Sequence, residues 1–333
     1  MILHIVYGYD IKPHGEDPLV KKVDEALQHF SVALVPGKWA VDMVPYLEYL
    51  PEWMPGAGFK RTARMWKQTH MAVVDTPYDF VRDRIARGQD DTSFVVKALE
   101  LASEDKTISD ENESAIKWSA ASMYTAGADT SVSTAAAFFL AMSMYPDVQR
   151  KAQEEIDRVV GTTRLPTFHD RNQLPYINAV VEEAQRWHPV APMGGVRMAN
   201  ENDVINEFRI PKGALVLPAI WWLTRDQAIY HEPEEFRPES FLEPRNEPSA
   251  TAFTFGFGRR ICTGKVLADA SLYLTFVQTL AALNIQKAID EHGHAVEPKH
   301  TFGAGILAHP GEFRVRVAPR SRHYMDMLER LEN

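Results

Sequence analysis

Apolar residues recur every three to four positions through much of the first two thirds of the chain. Leu19, Val23, Ala26, Leu27 and Phe30 share one face between Asp17 and Leu34, and this spacing predicts a helix. The same periodicity predicts helices over Phe59 to Arg87, Asp110 to Met144 and Asp147 to Val159. The last of these has Pro146 at its first turn and Gly161 beyond its end. Another helix runs from about Leu174 to Trp187 and stops at His188-Pro189, because the residue before proline avoids helical geometry. Between the first two helices, Val35 to Gly58 is dense in Pro, Gly, Trp and Tyr and reads as an apolar connector. Past Val190 the pattern shortens. RIPKGALVLPAIWWL gives short β-like runs, and EPEEFRPESFLEPRNEP is irregular. A final helix is predicted from Thr263 to Leu283, then strand, turn and strand from Thr301 to Val317. There is no internal repeat and no linker, so residues 1–333 read as a single domain, mainly α with small β-sheets.

Composition narrows the function classes. The 333 residues are 45% apolar and 24% charged, an ordinary globular balance, and the formal charge is −9. No clustered positive charge marks a nucleic-acid binder. The start, MILHIVYGYDIKPHGED, has neither the basic flank nor the cleavage site of a signal peptide. Trp118 to Tyr145 is apolar and long enough to cross a bilayer but carries Asp129, costly at the centre of a span, so it reads as a buried helix and the chain as lacking a membrane span. The His292-Gly-His294 pair sits in a charged stretch and reads as solvated. The glycine clusters follow no strand-to-helix phosphate loop.

One cysteine, Cys262, stands in FGFGRRICTG. A single thiol excludes an internal disulfide and a multi-cysteine metal site, and lone cysteines are usually just buried. A haem iron, however, needs only one protein ligand on its proximal side. Gly258 and Gly264 would let backbone approach a flat ligand, and Arg260 could pair with a carboxylate.

Phe255-x-x-Gly258-x-Arg260-x-Cys262-x-Gly264 resembles, without a gap, the haem-binding signature of cytochrome P450s, in which a cysteine thiolate holds the haem iron. Two further segments follow the family's order. Glu183-Ala-Gln-Arg186, in EEAQRWHPVAP, resembles its buried, structural ExxR ion pair, and Ala126-Gly127-Ala128-Asp129-Thr130 resembles the segment that leaves room for dioxygen. The intervening stretches are similar to those of fungal microsomal members.

The resemblance implies a cytochrome P450-like fold that starts partway into the family's domain. The N-terminal third, with membrane anchor, first strands and a haem-contacting helix, would precede Met1 and leave a single partial domain. It implies haem as cofactor, with Cys262 as iron ligand and Arg260, Phe255, Gly258, Gly264 and Arg197 around it. Arg197 and Met198 stand where a His-Arg pair usually meets a propionate. Ser240 replaces an arginine that usually joins the ExxR pair, with Arg237 as a possible substitute. Asp129 and Thr130 would deliver protons. Ser122, Met123, Ala126, Ala191, Met193 and Ile306 would line an apolar substrate pocket, with Gly305 and Leu307 beside them.

The implied activity is a monooxygenase oxidising a small hydrophobic substrate of secondary-metabolite type with O2 and electrons from an NADPH-dependent reductase. The implied location is the cytosolic face of the endoplasmic reticulum membrane, or the cytoplasm if the chain is complete as given. Two alternatives stand beside it: a truncated, catalytically inactive P450-derived chain or incomplete gene model, and a haem-thiolate isomerase or dehydratase working without O2. The Asp-Thr pair argues against the last.

Overall fold

A computed structural model describes residues 1–12, 15–35, 37–89, 92–103, 108–303 and 306–332. The chain divides into two compact units, Met1–Thr130 and Ser131–Asn333.

The first unit is helical: α1 (Ile2–Tyr7), α2 (Pro18–Ala33), α3 (Ala40–Met43), α4 (Gly58–Ala86), α5 (Phe94–Ser103) and the first part of α6 (Asp110–Met144). Asp17 starts α2 by accepting hydrogen bonds from the Leu19 and Val20 N–H groups at 2.9 and 3.3 Å, which satisfies donors that a helix start leaves unpaired. Leu3, Val6 and Tyr7 of α1 pack with Val23, Val73, Val81, Leu99 and Tyr124 in one core. The buried Tyr124 hydroxyl donates to the Leu19 carbonyl at 2.8 Å, so the helices are tied by polar as well as apolar contact. The connector predicted between α2 and α4 contains α3 and a short 3₁₀ turn, Pro45–Tyr49. Met43, Tyr46, Tyr49 and Trp53 on it are each at least 75% exposed.

In the second unit, α6 is followed by α7 (Pro146–Val159), α8 (Pro175–Trp187), α9 (Ile220–Leu223), α10 (Thr251–Thr254), α11 (Lys265–Ala282) and α12 (Arg322–Glu332). Phe138 stacks on Phe276 with ring centroids 3.9 Å apart, at the centre of a core shared by α6, α7, α8 and α11. The α7 residue Glu155 accepts from the Tyr176 and Ile177 N–H groups at 3.0 and 3.1 Å, so a carboxylate caps the start of α8. Three two-stranded antiparallel sheets complete the unit: β1 (Arg197–Met198) with β4 (Leu215–Val216), β2 (Asp203–Ile205) with β3 (Phe208–Ile210), and β5 (Leu283–Lys287) with β6 (Val315–Pro319).

Three expectations shift. The chain after Pro218 turns into α9 instead of continuing as strand. Among the described residues of the tail from Thr301 to Val317, one bridge joins Phe302 to Pro310, and its strand, β6, pairs with β5 directly after α11. The short helices α1, α5 and α12 were not predicted.

Candidate functional site

The cysteine loop is built by backbone turns. Gly256 and Gly258 have φ of 79° and 54°, a region that side chains rarely enter, and they redirect the chain between α10 and α11. The Cys262 N–H closes the loop on the Phe255 carbonyl at 2.8 Å, and Gly264 begins α11. The N terminus of a long helix concentrates partial positive charge, which suits an anionic metal ligand. Cys262 is exposed, and so are the neighbouring apolar side chains Phe257 and Ile261, while Phe255 is half-buried. Arg260 is exposed and makes no ion pair among the described residues. Arg197, also exposed, donates only to the adjacent Val196 carbonyl at 2.9 Å. A bare sulfur, backbone without side chains, exposed apolar groups and two arginines without carboxylate partners among the described residues fit a flat, apolar group with anionic edges, as a haem is.

The ExxR pair is buried and every one of its guanidinium donors is used. Arg186 and Glu183 are 2% and 0% exposed. Arg186 donates from Nε and Nη2 to the two Glu183 oxygens at 2.7 and 2.8 Å. Its Nη1 donates to the Thr224 and Pro233 carbonyls at 2.9 and 2.8 Å, and Nη2 also reaches the Glu235 carbonyl at 2.9 Å. A guanidinium has five N–H donors, and all are used. Burial raises the Glu183 carboxyl above its ordinary value, against the opposing pull of Arg186 and the Arg237 N–H. Where a third charged partner was expected, Ser240 is buried and Arg237 contributes its backbone N–H to Glu183 at 2.6 Å. The Arg237 guanidinium turns to Glu232 instead. The pair thus fastens the irregular 224–237 tract to α8.

On α6, the Thr130 hydroxyl donates to the Ala126 carbonyl at 2.9 Å, one turn back, and can still accept; Asp129 is half-buried. Gly127 has a local packing reason. A Cβ there would meet the Ile2 side chain of α1 at 3.0 Å, so the small residue admits that helix. Ser122, Met123 and Ala126 are exposed on α6, in the first unit. In the second unit, Ala191 is half-buried and Met193 exposed in the turn after α8, and Ile306 is half-buried. The Ala308 N–H donates to the Val190 carbonyl at 2.8 Å, which brings the Ile306 segment against the Ala191–Met193 turn. Gly305 lies outside the described residues. His292 and His294 are exposed, and no group of metal-ligating side chains occurs among the described residues.

Sequence reasoning missed a buried cluster beside this turn. His188, at 0% exposure, stacks on Phe302 with centroids 4.4 Å apart, and its ring nitrogens lie 3.2 Å from His300 Nε2 and 3.1 Å from the Ala308 carbonyl. The Ser133 hydroxyl donates to the same carbonyl at 2.6 Å. Burial lowers the His188 and His300 rings to about 4 and about 3. The only signal in the sequence was His188 at the end of a predicted helix, which reads as a stop.

A mainly helical fold with one exposed cysteine on a glycine loop and a buried Glu-Arg pair fits the haem-thiolate class that the sequence resembles. The sequence model of the family described as cytochrome P450 matches residues 2–317. The chain belongs to the cytochrome P450 family.

Relatives are fungal. The multifunctional cytochrome P450 monooxygenase af510 of Aspergillus fumigatus is 44% identical over 338 residues, covering 100% of this chain and 63% of that protein. The cytochrome P450 monooxygenase CLM2 of Gibberella zeae is 42% identical, covering 100% and 64%. The O-methylsterigmatocystin oxidoreductase of Aspergillus flavus is 38% identical, covering 99% and 62%. The chain spans somewhat less than two thirds of the length of these relatives.

Proposed function

We propose that this chain carries the haem-thiolate centre of a cytochrome P450 monooxygenase that oxidises a small hydrophobic substrate with O2 and electrons from an NADPH-dependent reductase. The observation that carries the reading is the exposed Cys262 sulfur on the gapless glycine loop ahead of α11. Haem, when bound, supplies activation of dioxygen and transfer of one oxygen atom to a C–H bond. Cys262 would be its ligand, Arg260 and Arg197 would hold its carboxylates, and Phe255, Gly258 and Gly264 would shape the loop around it. The Asp129 carboxyl and Thr130 Oγ1 hold and pass protons. Ser122, Met123, Ala126, Ala191, Met193 and Ile306 exclude water and present apolar surface to the substrate. The secondary-metabolite context of the reading follows relatives such as the O-methylsterigmatocystin oxidoreductase.

The test is the ferrous carbon-monoxide absorbance spectrum of the haem-reconstituted protein. A strongly red-shifted Soret band supports the reading, and its absence favours the inactive P450-derived alternative. Thr130→Ala is expected to keep that band and to raise the NADPH consumed per product about tenfold, because a positioned proton carrier contributes factors of this size or more. An unchanged ratio removes the relay role.

The same reading places the protein at the cytosolic face of the endoplasmic reticulum. No described helix is long and apolar enough to cross a membrane. What supports membrane contact is the exposed strap of Met43, Tyr46, Tyr49 and Trp53, with the exposed cations Lys38 and Arg61 on its flanks. Exposed aromatic rings suit a lipid interface, while the strap's exposed Asp42, Glu48 and Glu52 offset the flanking cations, so the contact rests on the rings. The protein is expected to float with vesicles of phosphatidylcholine and phosphatidylserine, and Tyr46→Ser with Trp53→Ser to weaken flotation. Equal flotation of the variant discards the strap as the contact.

A further inference from the structure

The buried cluster at Ala308 has a consequence that depends on the pocket reading above. Residues 300–303 and 306–311 lie side by side, joined by backbone bonds from the Gly303 N–H to the His309 carbonyl and from the Gly311 N–H to the Thr301 carbonyl, each 2.8 Å, and are called the Ile306 hairpin below. Ile306 is the first described residue of its second arm. The hairpin is not held by apolar packing alone. The Ala308 carbonyl accepts from Ser133 Oγ at 2.6 Å and faces His188 Nε2 at 3.1 Å, while its N–H donates to Val190. Ser133, His188 and Ala308 are each at most 1% exposed. Both polar groups of one residue are therefore committed to α6, the end of α8 and the turn that carries Ala191 and Met193.

The tautomers follow from the partners. A carbonyl only accepts, so His188 Nε2 carries the proton. Its Nδ1 then accepts from His300 Nε2–H. His300 is stacked on Trp187 at 3.6 Å, so its ring is oriented by the last residue of α8.

We propose that Ser133 and His188 are positioning residues that set which apolar substrates fit, by fixing the Ile306 hairpin against the Ala191–Met193 turn. Neither residue touches the substrate in this arrangement. They fix the distance between two segments that do, and a one-bond loss loosens one wall of the pocket without touching Cys262.

The clamp is also built for neutral rings. A second proton on His188 would set N–H against N–H at His300. Arg225 and His309 face His188 as further charged or titratable groups, and Arg225 and His188 face His300; these cations oppose protonation of the cluster. The folded values are depressed. The neutral clamp is therefore intact above about 6.5, the ordinary histidine value, and loses stability as pH falls toward about 4.

The experiment uses the haem-reconstituted protein, Ser133→Ala and His188→Gln, the second keeping an N–H donor for Ala308. Two ligands are titrated spectrally, imidazole and 1-dodecylimidazole, and amide hydrogen exchange is followed in peptide 301–311. Ser133→Ala is expected to speed exchange in that peptide and to weaken dodecylimidazole about fivefold, the size of one lost hydrogen bond, with imidazole unchanged. In the parent, exchange corrected for intrinsic rate rises by up to about tenfold per pH unit below about 6.5 for each proton taken up, and His188→Gln lowers that slope. Faster exchange with an unchanged affinity ratio between the two ligands reduces the clamp to a structural tie and overturns the proposal. Unchanged exchange in Ser133→Ala overturns it as well, as does an equal pH slope in His188→Gln. A parent protein that gives no imidazole band overturns the haem reading itself, and the pocket role falls with it.

Discussion

Arg186→Ala is expected to leave a protein without a cooperative unfolding transition in its second unit. The guanidinium is 2% exposed and satisfies both Glu183 oxygens and three carbonyls, at Thr224, Pro233 and Glu235. Removing it leaves a buried carboxylate with only the Arg237 N–H as donor, and three carbonyls that lose theirs. Breaking such a pair costs about 3–5 kcal/mol, against a total stability of about 5–15 kcal/mol. Arg186→Lys is expected to rescue little, because an ammonium offers three donors where five are used and lacks the planar fork. The double variant Glu183→Ala with Arg186→Ala should cost less than the sum of the two single changes, since neither charge is then stranded. The exposed pair Arg150 and Glu154, 2.7 Å apart and one turn apart on α7, is the control. Its loss should cost about 0–1 kcal/mol. Urea unfolding followed by tryptophan fluorescence reads every one of these variants. An Arg186→Lys midpoint equal to the parent's would sink this account of the pair.

That contrast shows where the sequence was readable. An acidic and a basic residue three or four positions apart look alike on α7 and α8, and only burial separates a structural tie from a solvated face. Helices with a clear apolar stripe were legible, and α6 begins and ends at Asp110 and Met144 as its periodicity predicts. α5 was not, because FVVKALEL is too continuously apolar for a period to show. The helix α11 ends at Ala282, within one residue of its predicted end, but the change to β5 at Leu283 has no glycine or proline to announce it, so the partner of β6 was missed. Arg237 was considered as a charge but acts through its backbone, which no side-chain pattern can show. Ser133, His188 and Ala308 are brought together across 120 and 175 residues of chain, and polar groups that meet at that range leave no local spacing to read. Gly127 had a reading from its own motif, room for dioxygen, and a second from α1, whose Ile2 occupies the space beside it. The cysteine loop was legible for the opposite reason. Its glycines, arginine and thiol act within ten residues, so the spacing itself holds the chemistry.

Cys262→Ser is expected to abolish the red-shifted carbon-monoxide band completely while leaving the fold intact. The loop is held by the Cys262 backbone N–H on Phe255 and by the glycine turns, none of which involves sulfur. The side chain is exposed, so its replacement should change stability by no more than about 0.5 kcal/mol. Serine keeps the size and loses the soft, electron-rich donor that marks thiolate ligation. Loss of the band at an unchanged urea midpoint therefore reports the ligand and not unfolding. A second readout needs no activity. Cys262 is the sole cysteine, so one equivalent of iodoacetamide should label the haem-free protein, and haem loading should protect that site. A serine variant that keeps the red-shifted band, or a loaded protein labelled as fast as the haem-free one, would place the iron elsewhere. Cys262→His separates binding from ligation, since it can hold haem through nitrogen but should do so without the red shift.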